Sequence, residues 1–163
     1  MLLKCLGLAA VISFTQQTAA APHVNQPQAT DLENQKLILH YVNEYRAQHR
    51  LAPLKLSHQI SQEARLHSKE MATKKIPFGH IGYSQRIHHL YQQYDNCNGG
   101  AENVAYYRIN AKKLVEGWIA SRGHRRNIEG NYNLTGIGIA YSGKPGWAYF
   151  TQIFLRSDGK KIG

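Results

Sequence analysis

The sequence predicts an α+β fold with an antiparallel sheet, on three observations. Apolar residues recur at helical spacing in the first part of the chain and as far as Ile119. From Gly136 the pattern changes to an alternation of bulky and small residues, which is typical of a strand. Strands and helices do not alternate along the chain, and no internal repeat is present. A parallel α/β sheet is therefore excluded.

The size and composition indicate one domain with an apolar core. The chain has 163 residues, of which 42% are hydrophobic and 18% charged. This length is typical of a single domain, and the hydrophobic fraction excludes general disorder and collagen-like repeats. Lys and Arg number 20 against 10 Asp and Glu, for a formal net charge of +10. That charge favours an anionic partner, such as phospholipid, cell-wall polymer or nucleic acid.

The N-terminus has the order of a secretory signal peptide. Lys4 is followed by a nine-residue apolar core at 6–14 and then by small residues. A bilayer span needs about 20 apolar residues, so this core is too short to be one, and no later stretch is long enough. We expect residues 1–21 to be removed on export, residues 22–30 to form a linker, and residues 31–163 to form one domain. The predicted location is therefore secreted or periplasmic.

Loss of this segment would remove Cys5 and leave Cys97 as a single cysteine. One cysteine cannot form an internal disulfide, although an oxidising compartment would permit one. We interpret Cys97 as a half-buried small apolar residue rather than a nucleophile. Its thiol is expected to be free or in an intermolecular bridge.

The first predicted helix covers residues 31–50, begins at a cap on Thr30 or Asp31 and ends before Pro53. Its apolar positions lie at helical spacing and are Leu32, Ile38, Leu39, Val42 and Tyr45.

The second helix follows Ser57 and has an apolar stripe that includes Ile60, Ala64 and Met71. His67 lies on this stripe, so we expect a core histidine with a satisfied hydrogen bond rather than a ligand. Five other histidines fall on polar helix positions and are interpreted as solvated: His40, His49, His58, His88 and His89.

Two shorter helices follow. One is predicted over residues 84–94, before an Asn-Gly-Gly turn. The other covers residues 111–119 and is ended by Gly123. Gly117 inside that helix costs about 1 kcal/mol relative to Ala, which suggests close packing at this position.

The last part of the domain is predicted to be a β-hairpin. Ile137 and Ile139 alternate with small residues, so one face of the strand is nearly bare backbone. Such a face predicts the close approach of a neighbouring helix or strand. A Lys-Pro-Gly turn leads to a second strand at residues 147–155, and residues 104–107 can supply a third.

The candidate site residues are His80, Glu102 and His124. Each histidine follows a glycine, whose backbone freedom lets the imidazole turn into a cleft. Two imidazoles and a carboxylate suit a zinc-like or copper-like ion, with Glu102 as a ligand or as the group that orients one ring. The same groups also suit general acid-base chemistry. They lie 22 positions apart each time, so spacing alone does not bring them together.

Three arginines flank His124, at positions 122, 125 and 126. Their charge disfavours protonation of the imidazole and keeps it available as a ligand. The same arginines would attract an anionic head group. Elsewhere the basic residues occur in scattered pairs, which are typical of solvated helix faces and not of a nucleic-acid groove. Nucleic acid is therefore an unfavoured partner.

Several segments, taken in order, resemble the CAP superfamily of cysteine-rich secretory proteins, insect venom antigen five and plant pathogenesis-related proteins, also called the SCP domain. The segments are 41–46 (Tyr-Val-Asn-Glu-Tyr-Arg), 53–56 (Pro-Leu-Lys-Leu), Gly79-His80, 101–103 (Ala-Glu-Asn), 118–128 (Trp-Ile-Ala-Ser-Arg-Gly-His-Arg-Arg-Asn-Ile), 135–138 (Thr-Gly-Ile-Gly) and 151–154 (Thr-Gln-Ile-Phe). The resemblance covers residues 34–155. The Trp-x-x-Ser-x-Gly-His-Arg segment and the missing disulfides are most similar to the short bacterial branch.

The resemblance implies an α-β-α sandwich with a central three- to four-stranded antiparallel sheet. It also implies one cleft for His80, Glu102 and His124, where animal and plant members have two histidines and two glutamates. Ser121 stands at the position of the second glutamate, so His80 and His124 are the expected metal ligands, for a divalent ion such as zinc. The other residues expected in the cleft are Glu102, Ser121, Arg122 and Arg125.

Two functions remain open. The first is a secreted, non-catalytic binding module, which holds a divalent metal through His80 and His124 and binds an anionic, lipid or protein partner of the envelope or a host. The second is a metal-assisted or acid-base hydrolase, in which Glu102 activates water beside the histidines. We favour the binding module, because the sequence supplies no evident nucleophile beside these residues.

Overall fold

The structure is a computed structural model that describes residues 29–160. The signal peptide expected at residues 1–21 and most of the expected linker lie outside the described residues. The helices are α1 (Ala29–Gln48), α2 (His58–Ala72), α3 (Tyr83–Gln93), α4 (Ala111–Ala120) and α5 (Arg122–Glu129). The strands are β1 (Lys55–Leu56), β2 (Tyr94–Asp95), β3 (Gly99–Arg108), β4 (Leu134–Tyr141), β5 (Trp147–Arg156) and β6 (Gly159–Lys160).

Four strands form the central sheet in the order β1, β4, β5, β3, and β2 pairs separately with β6. The predicted hairpin is confirmed, since β4 and β5 pair antiparallel with Gly138 opposite Thr151. β3 pairs antiparallel with β5, with Glu102 opposite Ile153. β1 pairs parallel with β4, so one of the three pairings in this sheet departs from the antiparallel expectation. The order makes β3 an edge strand, with one side open to other elements.

Helices cover both faces of the sheet, which gives the α-β-α layers. Even-numbered side chains of β5, such as Phe154, pack in a core with α1 and α4. Odd-numbered side chains, such as Ile153, pack in a second core with α2 and α3. The alternation follows from the two-residue period of a strand. Apolar burial on both faces stabilises the sandwich.

Helix α2 lies directly against the backbone of β4. A Cβ built on Gly136 would overlap the helix backbone at 60–61, and one built on Gly138 would overlap it at 64–65. The close approach predicted from the sequence is therefore confirmed, and the approaching element is a helix. Ser68 of α2 adds a buried hydrogen bond to this contact, donating from Oγ to Gly138 O at 3.1 Å.

Four local predictions are wrong. α4 ends at Ala120, and Gly123 lies within α5 instead of ending the fourth helix. Gly99 and Gly100 begin β3, so they do not form the expected Asn-Gly-Gly turn. The first helix begins at Ala29, so Thr30 and Asp31 lie inside it instead of capping it. Gly117 is exposed, and a Cβ added there would have nothing within 4 Å, so no close packing explains this glycine.

The sequence patterns also miss one helix. α5 has a single buried residue, Ile128, and its other positions are mostly polar, so it has no apolar periodicity. Within residues 29–160, none of the helices has the length and apolar character needed to cross a membrane.

Arg46 of α1 ties the end of α5 to the body of the domain. Its Nη1 donates to Ile128 O at 2.6 Å and to Gly130 O at 3.0 Å, and its Nε donates to Ala52 O at 2.8 Å. Burial lowers the pKa of this guanidinium. A cation is favourable near the C-terminus of a helix, because the helix dipole is negative there. Arg46 thereby helps to position the helix that carries His124.

Candidate functional site

Glu102 is the centre of a buried polar cluster on the edge strand β3. Its side chain is 1% exposed. Arg86 of α3 donates from Nε to Oε2 and from Nη2 to Oε1, each at 2.9 Å. His80 Nδ1 donates to Oε1, also at 2.9 Å. Both carboxylate oxygens are therefore engaged, and the guanidinium balances the carboxylate charge.

The loop between α2 and α3 presents His80 to this carboxylate. Gly79 has a φ of 145°, in the region that favours glycine. His67 is fully buried beneath the loop, and its Nε2 donates to Gly79 O at 2.8 Å. Arg86 Nη1 donates to Ile81 O at 2.7 Å. The backbone is thus held on both sides of His80, and His67 is the hydrogen-bonded core histidine that the sequence predicts.

Two asparagines attach α5 to the open edge of β3. Asn127 Nδ2 donates to Glu102 O at 3.0 Å and to Asn103 Oδ1 at 2.8 Å. Asn103 Nδ2 in turn donates to His124 O at 3.2 Å. The His124 ring lies 6.5 Å from the Trp118 ring, measured between centroids. These contacts place His124 beside the Glu102 cluster.

The pKa of His124 lies below its ordinary value. Burial is the larger cause, and the neighbouring His80 imidazole is the second. The imidazole of His124 is therefore neutral at neutral pH. The sequence predicts the same direction for this pKa shift. The predicted cause is wrong, because the flanking arginines are not what lowers this pKa. The influence of His80 also indicates that the two rings lie in the same region.

A cavity of about 310 Å³ opens beside Glu102 and His80, with residues of α3, β3 and α5 in its walls. Two tyrosines, Tyr83 and Tyr132, line it as well. Burial raises the pKa of both phenols, so they stay protonated at neutral pH. Tyr83 Oη donates to Gly100 O at 2.8 Å. The walls therefore offer phenol, imidazole and amide groups to a bound molecule.

Among the described residues, four of those expected in the cleft do not line this cavity: Ser121, Arg122, His124 and Arg125. Arg125 Nη1 donates to Ile119 O at 2.9 Å, and its Nε lies 3.9 Å from Glu129 Oε1. Arg122 is exposed, and Ser121 is the junction between α4 and α5. The structure therefore joins His80 and Glu102 directly. It holds the backbone of His124 near them through Asn103, but His124 and the other three residues lie outside the cavity walls.

Arg86 is the site residue that sequence reasoning misses. In the sequence it is a lone cation on a short amphipathic helix, which has the same pattern as a solvated residue. It meets Glu102 across 16 positions of the chain, which no local pattern reveals. The usable signal is Glu102 itself, because a carboxylate buried in a sheet requires a paired cation.

The donor set limits what the cleft can bind. Within residues 29–160, no group of three or more His, Cys, Asp or Glu side chains could hold a metal ion. Glu102 is engaged by Arg86, which leaves the imidazoles of His80 and His124. His80 uses Nδ1 toward Glu102, so Nε2 is its nitrogen available for a ligand. Two imidazoles are fewer protein ligands than the three or four that zinc sites usually have.

Sequence comparison gives relatives that are longer than this chain. Residues 39–154 match the profile of CAP, the Cysteine-rich secretory protein family. The uncharacterized membrane protein YlbC of Bacillus subtilis is 30% identical over 125 residues, which are 76% of this chain and 34% of YlbC. The chain thus spans about a third of the length of that curated relative.

Solved structures share the fold. An extracellular protein containing an SCP domain from Bacillus anthracis matches with a TM-score of 0.63 and 25% identity, covering 77% of this chain and 41% of that one. An outer surface protein from Borrelia burgdorferi matches with a TM-score of 0.65 and 19% identity, covering 77% and 94%. The family profile spans most of the chain, and the layered fold agrees with it. The chain therefore belongs to the cysteine-rich secretory protein family, CAP.

Proposed function

We propose that this chain is an extracellular binding module that holds a divalent metal in its cleft through His80 and His124. The observation that carries the proposal is the 2.9 Å hydrogen bond from His80 Nδ1 to Glu102. It places the ring proton on Nδ1 and leaves the lone pair of Nε2 for a ligand. His124 supplies a second neutral imidazole, because burial lowers its pKa.

A metal site with only two protein ligands suits a binding role better than a purely structural role, because a structural metal has all its positions filled by the protein. A bound divalent ion would supply a positive centre with open coordination positions for a carboxylate or phosphate of a partner. The residues of the chain orient the donors: Glu102 fixes the His80 ring, and Asn127 fixes the backbone at Glu102. The net charge of +10 favours an anionic partner. This partner would be an envelope component, a lipid surface or a host protein.

The contacts of Glu102 favour binding over hydrolysis. A general base needs a carboxylate oxygen placed to accept a proton from water. Arg86 and His80 already donate to both oxygens of Glu102. The carboxylate is therefore placed to neutralise and orient its neighbours rather than to activate water.

The extracellular location is supported by the relatives and by the N-terminal sequence. One structural relative is described as extracellular, and another as an outer surface protein. Residues 1–21 have the pattern of a secretory signal peptide. Detection of the protein in the culture medium or periplasm, with residues 1–21 absent by mass spectrometry, tests this part of the proposal.

Calorimetric titration with zinc tests the metal site. We expect the His80→Ala, His124→Ala double variant to bind zinc at least about tenfold more weakly than the wild type, because both ligands are lost. The chain has nine histidines, so the matched control is His40→Ala, His88→Ala, which removes two exposed imidazoles. The control should retain wild-type affinity. Equal affinity of the wild type and the cleft variant would overturn the proposal.

A further inference from the structure

We propose that an exposed row of aromatic rings at one end of the sheet, with two cations beside it, binds a linear anionic polysaccharide. The aromatic row consists of Phe78, Tyr106, Trp147 and Tyr149. These four positions lie outside the segments that carry the family resemblance, and none of them lines the cavity beside Glu102. The inference rests on the proposed function only for the extracellular location and the anionic partner, and it requires no metal ion.

The fold leaves this part of the sheet without a covering helix. Ser68 of α2 donates from Oγ to Thr151 Oγ1 at 2.8 Å, and the helix ends four residues later. Strand β5 extends four residues beyond Thr151, to Trp147. Because side chains alternate along a strand, Tyr149 and Trp147 lie on the same face as Thr151. Tyr106 of β3 is paired with Tyr149 and adds a third ring to this face.

The rings contact one another and form a continuous surface. The centroid of Tyr106 lies 4.6 Å from that of Tyr149 and 5.1 Å from that of Trp147. Phe78, in the loop after α2, lies 6.3 Å from Tyr149. Phe78 is 55% exposed and Tyr106 is 37% exposed, while the other two rings are half-buried. Contiguous exposed apolar surface of this kind is typical of an interaction site.

Two cations lie over the row without a carboxylate partner. Lys144 Nζ is 4.2 Å from the centroid of the Trp147 ring, and Arg108 Cζ is 5.8 Å from it. Both side chains are exposed, and neither forms an ion pair in the part of the chain that the structure describes. An exposed cation–π contact is weaker than a hydrogen bond between two charged groups. An anionic ligand can therefore draw these cations from the ring and uncover its face.

The chemistry of the row matches that of a charged sugar chain. An aromatic face carries partial negative charge, which attracts the polarised C–H groups of a sugar ring. The two phenols and the indole N–H of Trp147 supply hydrogen-bonding groups for sugar hydroxyls. Arg108 and Lys144 can pair with carboxylate, sulfate or phosphate substituents. A linear anionic polysaccharide presents all three kinds of group in each repeating unit.

The shape of the surface favours a chain over a membrane. The row extends along β5 from Trp147 to the loop that carries Phe78. Phe78 is two residues from His80, which lines the cavity beside Glu102. A bound chain can therefore continue from the exposed row into the cavity. A bilayer surface cannot enter a cavity and would contact the row alone.

Calorimetric titration of the full chain with alginate, hyaluronate and polygalacturonate, in the presence of EDTA, tests the inference. We expect the wild type to bind at least one of these polymers. The Tyr106→Ala, Trp147→Ala variant should bind it at least about tenfold more weakly, because the two central rings are lost. The matched control is Leu37→Ala, Leu66→Ala, which removes two other apolar side chains that are 46% and 55% exposed. This control should keep the wild-type affinity.

Substitution of the two cations tests the row without disturbing packed rings. Arg108→Gln, Lys144→Gln should weaken binding at least about tenfold and make it less dependent on salt. Lys36→Gln, Arg50→Gln removes the same charge from exposed positions in and after α1 and should bind as the wild type does. Circular dichroism checks the fold of each variant. Equal losses in the two charge variants would contradict the inference, because net charge alone would then explain binding.

Quenching of tryptophan fluorescence by acrylamide locates the bound polymer. The chain has two tryptophans, and Trp118 is 2% exposed, so quenching reports Trp147. Bound polysaccharide should protect Trp147 from acrylamide. Binding without this protection would place the polymer elsewhere and overturn the inference.

Three results with the wild type would also overturn the inference. The first is binding of none of the three polysaccharides. The second is equal binding of polyglutamate, which has the charge but no sugar rings. The third is binding to phosphatidylglycerol vesicles without binding of any polysaccharide, which would make a membrane the partner.

The outcomes separate this inference from the proposed function. If His80→Ala, His124→Ala binds zinc as well as the wild type while Tyr106→Ala, Trp147→Ala loses the polysaccharide, the metal site is wrong and the role of the row stands. If zinc binding depends on both histidines but the row variant binds polysaccharide normally, the inference fails alone.

Discussion

His67 illustrates at the residue scale how a buried imidazole can support a site without binding a ligand. Its Nε2 donates to Gly79 O, while its Nδ1 is buried and has no hydrogen-bond partner among the described residues. The ring is therefore neutral, with its proton on Nε2. Burial lowers the pKa of His67, although the carboxylate of Glu102 acts in the opposite direction. Protonation would place a second positive charge beside Arg86.

We predict that His67 makes the stability of the protein depend on pH. Because its folded pKa lies below the unfolded value, the unfolded state binds more protons, and the free energy of unfolding falls as pH drops through the unfolded value near about 6.5. One such group contributes at most about 1.4 kcal/mol per pH unit. Urea unfolding of His67→Gln between pH 8 and 5 should show a shallower loss of stability than the wild type.

The control for this prediction is His88→Gln, which removes an exposed imidazole. It should follow the wild-type pH dependence. Parallel curves for the wild type and His67→Gln would mean that the buried ring does not resist protonation.

Some residues of the candidate site can be predicted from the sequence and others cannot. His80, Glu102 and His124 can be named from residue type, the glycines before the histidines and the family resemblance. The structure joins His80 to Glu102 and holds only the backbone of His124 close to them, through Asn103. The cause of the His124 pKa and the partner of Glu102 could not be predicted. The pKa of His124 depends on the burial of its ring and on the neighbouring His80. The partner of Glu102 is Arg86, which packing brings from α3 to β3 and which no periodic pattern in the sequence reveals.

At the scale of elements, the backbones of α2 and β4 approach each other closely at the glycines of β4. Gly136 and Gly138 leave no room for a side chain against the helix backbone. Their alternation with bulky residues predicted this contact. By contrast, α5 could not be predicted, because it is held by Arg46, Asn127 and Asn103 rather than by an apolar stripe.

Paired glycine substitutions test this difference between elements. Gly138→Ala should destabilise the domain by about 3 kcal/mol or more, because the helix backbone must move to admit the methyl group. Gly117→Ala should stabilise it by about 0.5–1 kcal/mol, since alanine favours the helix and nothing lies in its way. Urea unfolding gives both values. A destabilised Gly117→Ala protein would show that the α4 glycine has a packing role after all.

At the scale of the whole molecule, β5 joins two cores that lie on opposite faces of the sheet. Alternate side chains of this one strand enter the core with α1 and α4 and the core with α2 and α3. Neither core can lose β5 without opening the other. The helices and the sheet therefore form one cooperative unit, although their apolar contacts fall into two separate clusters.

This coupling predicts that the two cores unfold in a single transition. Trp118 is buried in the first core, so in a Trp147→Phe variant its fluorescence reports that face alone. Cys97 packs against the second core, so its thiol reactivity in a Cys5→Ser variant reports the other face. The two urea midpoints should coincide. Adding Gly138→Ala, which strains the α2 face, should lower both midpoints equally. A shift seen by Cys97 and not by Trp118 would show that the faces unfold independently and that β5 does not couple them.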